Sequence, residues 1–158
     1  MTQAIFATYE DLQPPVPKAA VRKMPECLVG DLSEALFNAG CIVHNWEPFK
    51  AFGHSHASDW VLVRGHLRVA VQVKTATMDA RGDYPIDVTR GGKNNHRPYA
   101  AGDFDVLAVY LPDRNQFVFY TFADIRGRKK VRYNPARHHQ PGNWHLLDEV
   151  AESLTPTQ

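Results

Sequence analysis

The sequence predicts an α/β fold, a β-sheet covered by helices, and three observations carry that prediction. Leu28, Leu32, Ala35, Leu36 and Ala39 form an apolar stripe at helical spacing. Residues 58–63 and 68–76 are two strand-like runs joined across Arg64-Gly65-His66. The second run alternates, with Val69, Val71 and Val73 on one face and Ala70, Gln72 and Lys74 on the other. Residues 105–111 are almost continuously apolar and read as a buried strand.

At 158 residues the chain has the length of one compact domain. No apolar run approaches membrane-spanning length, and the first residues lack the basic start and apolar segment of a signal peptide, so no membrane association and a cytoplasmic location are expected. Cys27 and Cys41 are too few for a disulfide framework, and both are expected to be reduced and buried. A net charge of +1 is not that of a globally basic protein. The distribution is uneven, however: Arg126, Arg128, Lys129, Lys130, Arg132 and Arg137 follow one another with no acid before Asp148. Such a block suits a phosphate-binding stripe or a solvated loop.

Taken in order, residues 1–24 form an extended N-terminal arm, because Pro14, Pro15 and Pro17 disfavour helix. Residues 25–158 then make a single domain. Its first helix starts at Pro25 and ends at Gly40 as a C-terminal glycine. Asp31 and Glu34 lie on this helix. Glu34 is off the apolar stripe, which makes it a solvated residue or one that reaches sideways to a site. Residues 41–46, with the β-branched pair Ile42-Val43, read as a strand. In the loop that follows, His54 and His56 stand just ahead of Asp59. No nearby cysteine or spaced partner histidine completes a zinc set, and a phosphate-approaching or plain surface loop fits better.

Beyond the hairpin, Arg81-Gly82-Asp83 marks a turn and residues 84–89 return as a strand. Residues 90–97 form a polar loop in which Lys93 and Arg97 can grip a nucleic-acid backbone, without the spacing of a Walker phosphate loop. Residues 112–115 turn the chain into a strand over 116–122, and residues 144–154 form a closing helix with an acidic outer face.

The chemistry concentrates on the hairpin. Its pairing brings Asp59 near Gln72 and Lys74, so a carboxylate, an amide oxygen and an ammonium converge. These are the groups that metal-assisted phosphodiester hydrolysis uses: an oxygen cage for a hard cation and a lysine for charge building on phosphorus. A solvent-facing strand that happens to carry Gln and Lys is the alternative.

The order and spacing of Gly30-Asp31-Leu32-Ser33-Glu34, Ser58-Asp59-Trp60-Val61, Val71-Gln72-Val73-Lys74-Thr75-Ala76, Tyr99 and Gly102-Asp103-Phe104-Asp105-Val106-Leu107-Ala108-Val109-Tyr110 resemble the PD-(D/E)XK nuclease superfamily. The similarity is nearest to its small intron-encoded endonuclease and Holliday-junction-resolvase-like branch. The resemblance runs from Leu28 to Ile125 and implies a restriction-endonuclease-like αβββαβ core with a mixed central sheet flanked by helices. It implies Asp59, Gln72 and Glu34 around Mg²⁺ or Mn²⁺, with Gln72 where the family's second acid usually stands, and Lys74 as the catalytic lysine. DNA is the implied substrate, with Lys93, Arg97, Arg126, Arg128, Lys129, Lys130 and Arg132 as backbone contacts. Cutting both strands with one site per chain calls for a homodimer or higher homo-oligomer. A relative that has lost catalysis and binds DNA or a protein partner is the alternative, because an amide in place of an acid weakens cation binding.

Overall fold

The computed structural model describes residues 20, 24–51, 57–91, 96–138 and 142–155. The N-terminal arm before Met24, Ala20 apart, the His54 and His56 loop and Lys93 therefore lie outside the described residues. Helix α1 (Glu26–Val43) leads into strands β1 (Glu47–Lys50), β2 (Trp60–Arg64) and β3 (Leu67–Thr75). Three short strands follow: β4 (Tyr84–Asp87), β5 (Thr89–Arg90) and β6 (Arg97–Pro98). Strands β7 (Val106–Leu111) and β8 (Gln116–Thr121), one-turn helix α2 (Phe122–Ile125), β9 (Lys130–Tyr133) and helix α3 (His145–Leu154) complete the chain. Among the described residues, no helix is long and apolar enough to cross a membrane.

The central sheet has the order β1-β2-β3-β7-β8 and is antiparallel except between β3 and β7. It is the expected mixed sheet. A parallel pair needs a long crossover. Here the crossover between β3 and β7 carries β4, β5 and β6, with no helix among the described residues. Strand β4 pairs with β9, and β5 with β6, making two small ribbons outside the main sheet.

Each face of the sheet has its own core. Val69, Val71 and Val73 pack with Phe37 of α1, with Trp144 at the start of α3 and with Leu147 within it. On the other face Leu107, Val109 and Val118 pack under Tyr84, Ile86 and Val131 of the β4–β9 ribbon. Every residue of β7 is buried, as its unbroken apolar run requires of a strand covered twice.

Four expectations need correction. Residues 41–43 continue α1 and residues 44–46 leave it, so the strand expected at 41–46 begins at Glu47 instead. Gly40 is not the helix terminus. Asn45 takes that part, with φ of 60°, while its N–H donates to Ile42 O and the Trp46 N–H to Cys41 O. This is the paired closure of a helix through a left-handed residue. Cys27 is exposed, whereas Cys41, now on the helix, is buried as expected. The basic block, finally, is not only loop: Lys130-Val131-Arg132-Tyr133 alternates exposed and buried as β9.

Gly40 sits where α1 meets α3's flank. A Cβ built on it would overlap the Trp144 ring, and that ring is stacked on His44 and Phe37. Gly40→Ala is expected to lower stability by about 1–3 kcal/mol through overpacking. A lowered denaturant midpoint with an unchanged slope checks this; an unchanged midpoint contradicts the tight contact.

Candidate active site

The β2–β3 register places the site. Trp60 pairs with Val71, so Asp59 stands beside Gln72 at the opening of the hairpin, its N–H donating to Val71 O at 2.9 Å. Strand alternation sends Gln72 and Lys74 to the face opposite Val71 and Val73. Asp59 Oδ2 accepts from the Val73 N–H at 2.7 Å and from Gln72 Nε2 at 2.5 Å. Gln72 Nε2 also donates to Val73 O at 3.2 Å. Lys74 Nζ donates to Thr89 O at 3.3 Å and lies 5.6 Å from the centre of the Tyr99 ring.

These side chains share one cleft of about 410 Å³, walled by Asp59, Gln72, Lys74, Thr89, Arg90 and Tyr99. The sheet supplies its floor and the β5–β6 ribbon its lip. Burial pushes the Asp59 carboxyl up to about 6; the Val73 N–H opposes that rise, the charge of Glu34 adds to it, and Lys50 and Lys74 oppose it. Burial likewise holds Lys74 below the usual lysine value, against the pull of Asp87 and Asp59. Tyr99 is pushed up to about 12, first by burial and then by Asp59 and Asp103.

Glu34 is beside the cleft rather than in its wall. Its Oε2 lies 2.7 Å from Lys50 Nζ, an ion pair across α1 and β1, with the lysine largely exposed. Asp31, the other candidate on the helix, is exposed. Lys50 is thus a neighbour of the site that the sequence did not single out. The signal for it was only spatial, since the helix and strand that pair it with Glu34 are separated by the α1–β1 turn.

The residues present fit a hard divalent cation. Asp59 Oδ2 and Val73 O both lie within hydrogen-bonding reach of one amide nitrogen. Turning that amide over would set Gln72 Oε1 beside them, giving a carboxylate, an amide and a backbone carbonyl, which is an all-oxygen set of the kind Mg²⁺ and Mn²⁺ prefer. Among the described residues no three His, Cys, Asp or Glu side chains gather as a metal cluster, so the backbone and the amide are needed.

The described basic residues expected to contact DNA lie on β6 and from the end of α2 into β9. Arg97 is exposed on β6, and Arg126, Arg128, Lys129 and Lys130 are exposed before and on β9. The Val88 N–H donates to Lys129 O at 3.0 Å and Lys130 pairs with Asp87, which brings this end of the ribbon next to Thr89 in the cleft. Arg132 is committed elsewhere, 3.0 Å from Asp79 and 3.5 Å from Asp83.

A five-stranded mixed sheet with this cleft on its rim defines a restriction-endonuclease-like fold. The chain belongs to the PD-(D/E)XK endonuclease family, whose model matches residues 24–149. Among solved structures it is similar to that of a bacterial homing endonuclease, I-Ssp6803I, with a TM-score of 0.72 and 20% identity, over 85% of this chain and 100% of that one. That likeness is one of fold. No curated protein matches the chain.

Proposed function

We propose that the chain is a divalent-metal-dependent endodeoxyribonuclease. The observation that carries this reading is the meeting of Asp59, Gln72 and Lys74 in one cleft, in a chain of a nuclease family. Asp59, the Gln72 amide oxygen and the Val73 carbonyl would hold Mg²⁺ or Mn²⁺, with the Glu34 charge beside them. A cation bound there supplies a Lewis acid and acidifies a water for attack. Lys74, held by the Thr89 carbonyl over the Tyr99 ring, presents its ammonium to the charge that builds on the phosphate. Cutting both strands uses two copies, in a symmetric dimer or larger assembly.

Exposed Arg97, Arg126, Arg128, Lys129 and Lys130 are the candidate contacts to the DNA backbone, and by its sequence Lys93 is another. Reversing Arg128, Lys129 and Lys130 to Glu is expected to flatten the slope of log affinity against log salt by about 2–3, near 0.9 per lost phosphate contact. An unchanged slope places the DNA path elsewhere.

The alternative, a relative without catalysis, is favoured by one observation: the Gln72 amide already donates to both oxygens a cation would take. Labelled plasmid, linear duplex and four-way junction, each with Mg²⁺ or Mn²⁺ and with EDTA, separate the two. Metal-dependent cutting of any of them supports the nuclease, and the preferred one chooses between the site-specific and junction-resolving branches. Binding without cutting of all three supports the inactive relative.

A further inference from the structure

Thr89 of the cleft wall leads on to two polar groups, Asp87 and His96, that the chemistry above leaves unused. Thr89 is buried, and its carbonyl holds Lys74. Its hydroxyl oxygen lies 2.5 Å from Asp87 Oδ1 and 3.0 Å from His96 Nδ1. The Asp87 carboxyl is held below the usual carboxylate range; burial opposes this, and the Thr89 hydroxyl and N–H outweigh it, helped by Lys74 and His96. An ionised carboxylate only accepts, so the single Thr89 hydroxyl proton goes to Asp87. The Thr89 oxygen then has only lone pairs to offer the imidazole, and Nδ1 bonds to it by donating. That fixes the ring's use: Nδ1–H is turned to Thr89, and Nε2 is the nitrogen left for a substrate. Asp87 Oδ2, 4.0 Å from Nδ1, gives an imidazolium formed there a counter-ion.

Hydrolysis of a phosphodiester also needs a proton at the departing sugar oxygen. In-line displacement sets the attacking and departing oxygens on opposite sides of phosphorus. Asp59 and Gln72 belong to the floor strands, whereas His96 is attached to the lip ribbon through Thr89. The remaining cleft groups do not fill the role. Lys74 faces the phosphate charge, the Arg90 guanidinium keeps its protons, and a Tyr99 phenol pushed up to about 12 gives up its proton far less readily than an imidazolium.

We propose that His96 is the proton donor to the departing oxygen, aligned by Thr89 and Asp87 as positioning residues; this rests on the nuclease reading. Water forms the new bond to phosphorus and gives up one proton to solvent. The bond from phosphorus to the sugar oxygen breaks, its electron pair staying on that oxygen. The Nε2 proton of the imidazolium passes to it, and solvent reprotonates the ring.

Replacing the departing bridging oxygen with sulfur tests this, because a thiolate leaves without a proton. Single-turnover cleavage in Mn²⁺ by the full chain is compared on oxygen and sulfur duplexes. His96→Ala is expected to slow the oxygen substrate by about 10²-fold or more and to cut the sulfur substrate within about threefold of the wild-type rate. Thr89→Val is expected to show the same selective loss, smaller at about tenfold, and Thr89→Ser to restore the rate. Equal losses on both substrates, or no loss on either, overturn the assignment. A wild-type chain that cuts neither substrate removes the nuclease reading itself, and the assignment with it.

Discussion

Asp59→Asn is expected to abolish cleavage and, at the same time, to make the metal-free protein harder to unfold. The loss of activity follows from geometry. Asp59 is the charged oxygen donor at the centre of the cleft, and an amide there leaves a neutral donor set that binds a divalent cation weakly. A fall of about three orders of magnitude in rate is the expected scale for losing such a group. The gain in stability follows from burial. The carboxyl is raised from 3.8 to about 6 in the folded chain, so folding favours its protonated form. The stability this protonated form provides is complete below about 4 and is lost as pH rises through about 6. The difference is worth about 3 kcal/mol in full, and screening at the partly exposed carboxylate brings it to about 2 kcal/mol. Unfolding in EDTA at pH 8 should therefore show Asp59→Asn ahead of wild type by about 2 kcal/mol, and the two converging as pH falls toward 4. A variant no more stable than wild type at pH 8 would show that the carboxylate is adequately solvated or paired without metal.

Lys74→Ala is expected to lower the single-turnover rate by about 10²- to 10³-fold while leaving DNA affinity within about threefold of wild type. The ammonium is held in the cleft by a carbonyl and an aromatic ring, whereas the proposed backbone contacts fall to exposed arginines and lysines outside its wall. Lys74→Arg is expected to fail as a rescue, because a planar fork does not replace a point charge at a position shaped by Thr89 and Tyr99. Cleavage at the wild-type rate by Lys74→Ala removes the role assigned to this lysine. A parallel loss of affinity and rate moves it to substrate binding.

The centre of the site was legible because its parts are local. Strand alternation sorts Gln72 and Lys74 from the valines between them, and a tight hairpin fixes which residue lies beside Asp59. The run at β7 was legible for a similar reason, being apolar at every position. The end of α1 was not. Ile42-Val43 favours a strand on local grounds, but Cys41 is buried on the helix face and Gly40 packs against Trp144 from near the far end of the chain. Tertiary packing outweighed propensity there. Strand β9 had a visible period of two over Lys130-Val131-Arg132-Tyr133, hidden by reading the block for its charge alone. The Lys50–Glu34 pair and the Asp87, Thr89 and His96 group depend on contacts between separate elements, and no spacing rule marks them.

The rate of DNA cleavage by the wild-type chain, measured against Mg²⁺ concentration from none to saturation, tests the central claim most directly. A rate that is zero in EDTA and rises to a plateau with Mg²⁺ is the predicted result, and it would mean that an amide at position 72 leaves a working metal site. A chain that binds DNA and cuts none of it at any Mg²⁺ or Mn²⁺ concentration would contradict the claim, and would make the Gln72 hydrogen bonds to Asp59 and Val73 the resting state of a cleft that does no chemistry.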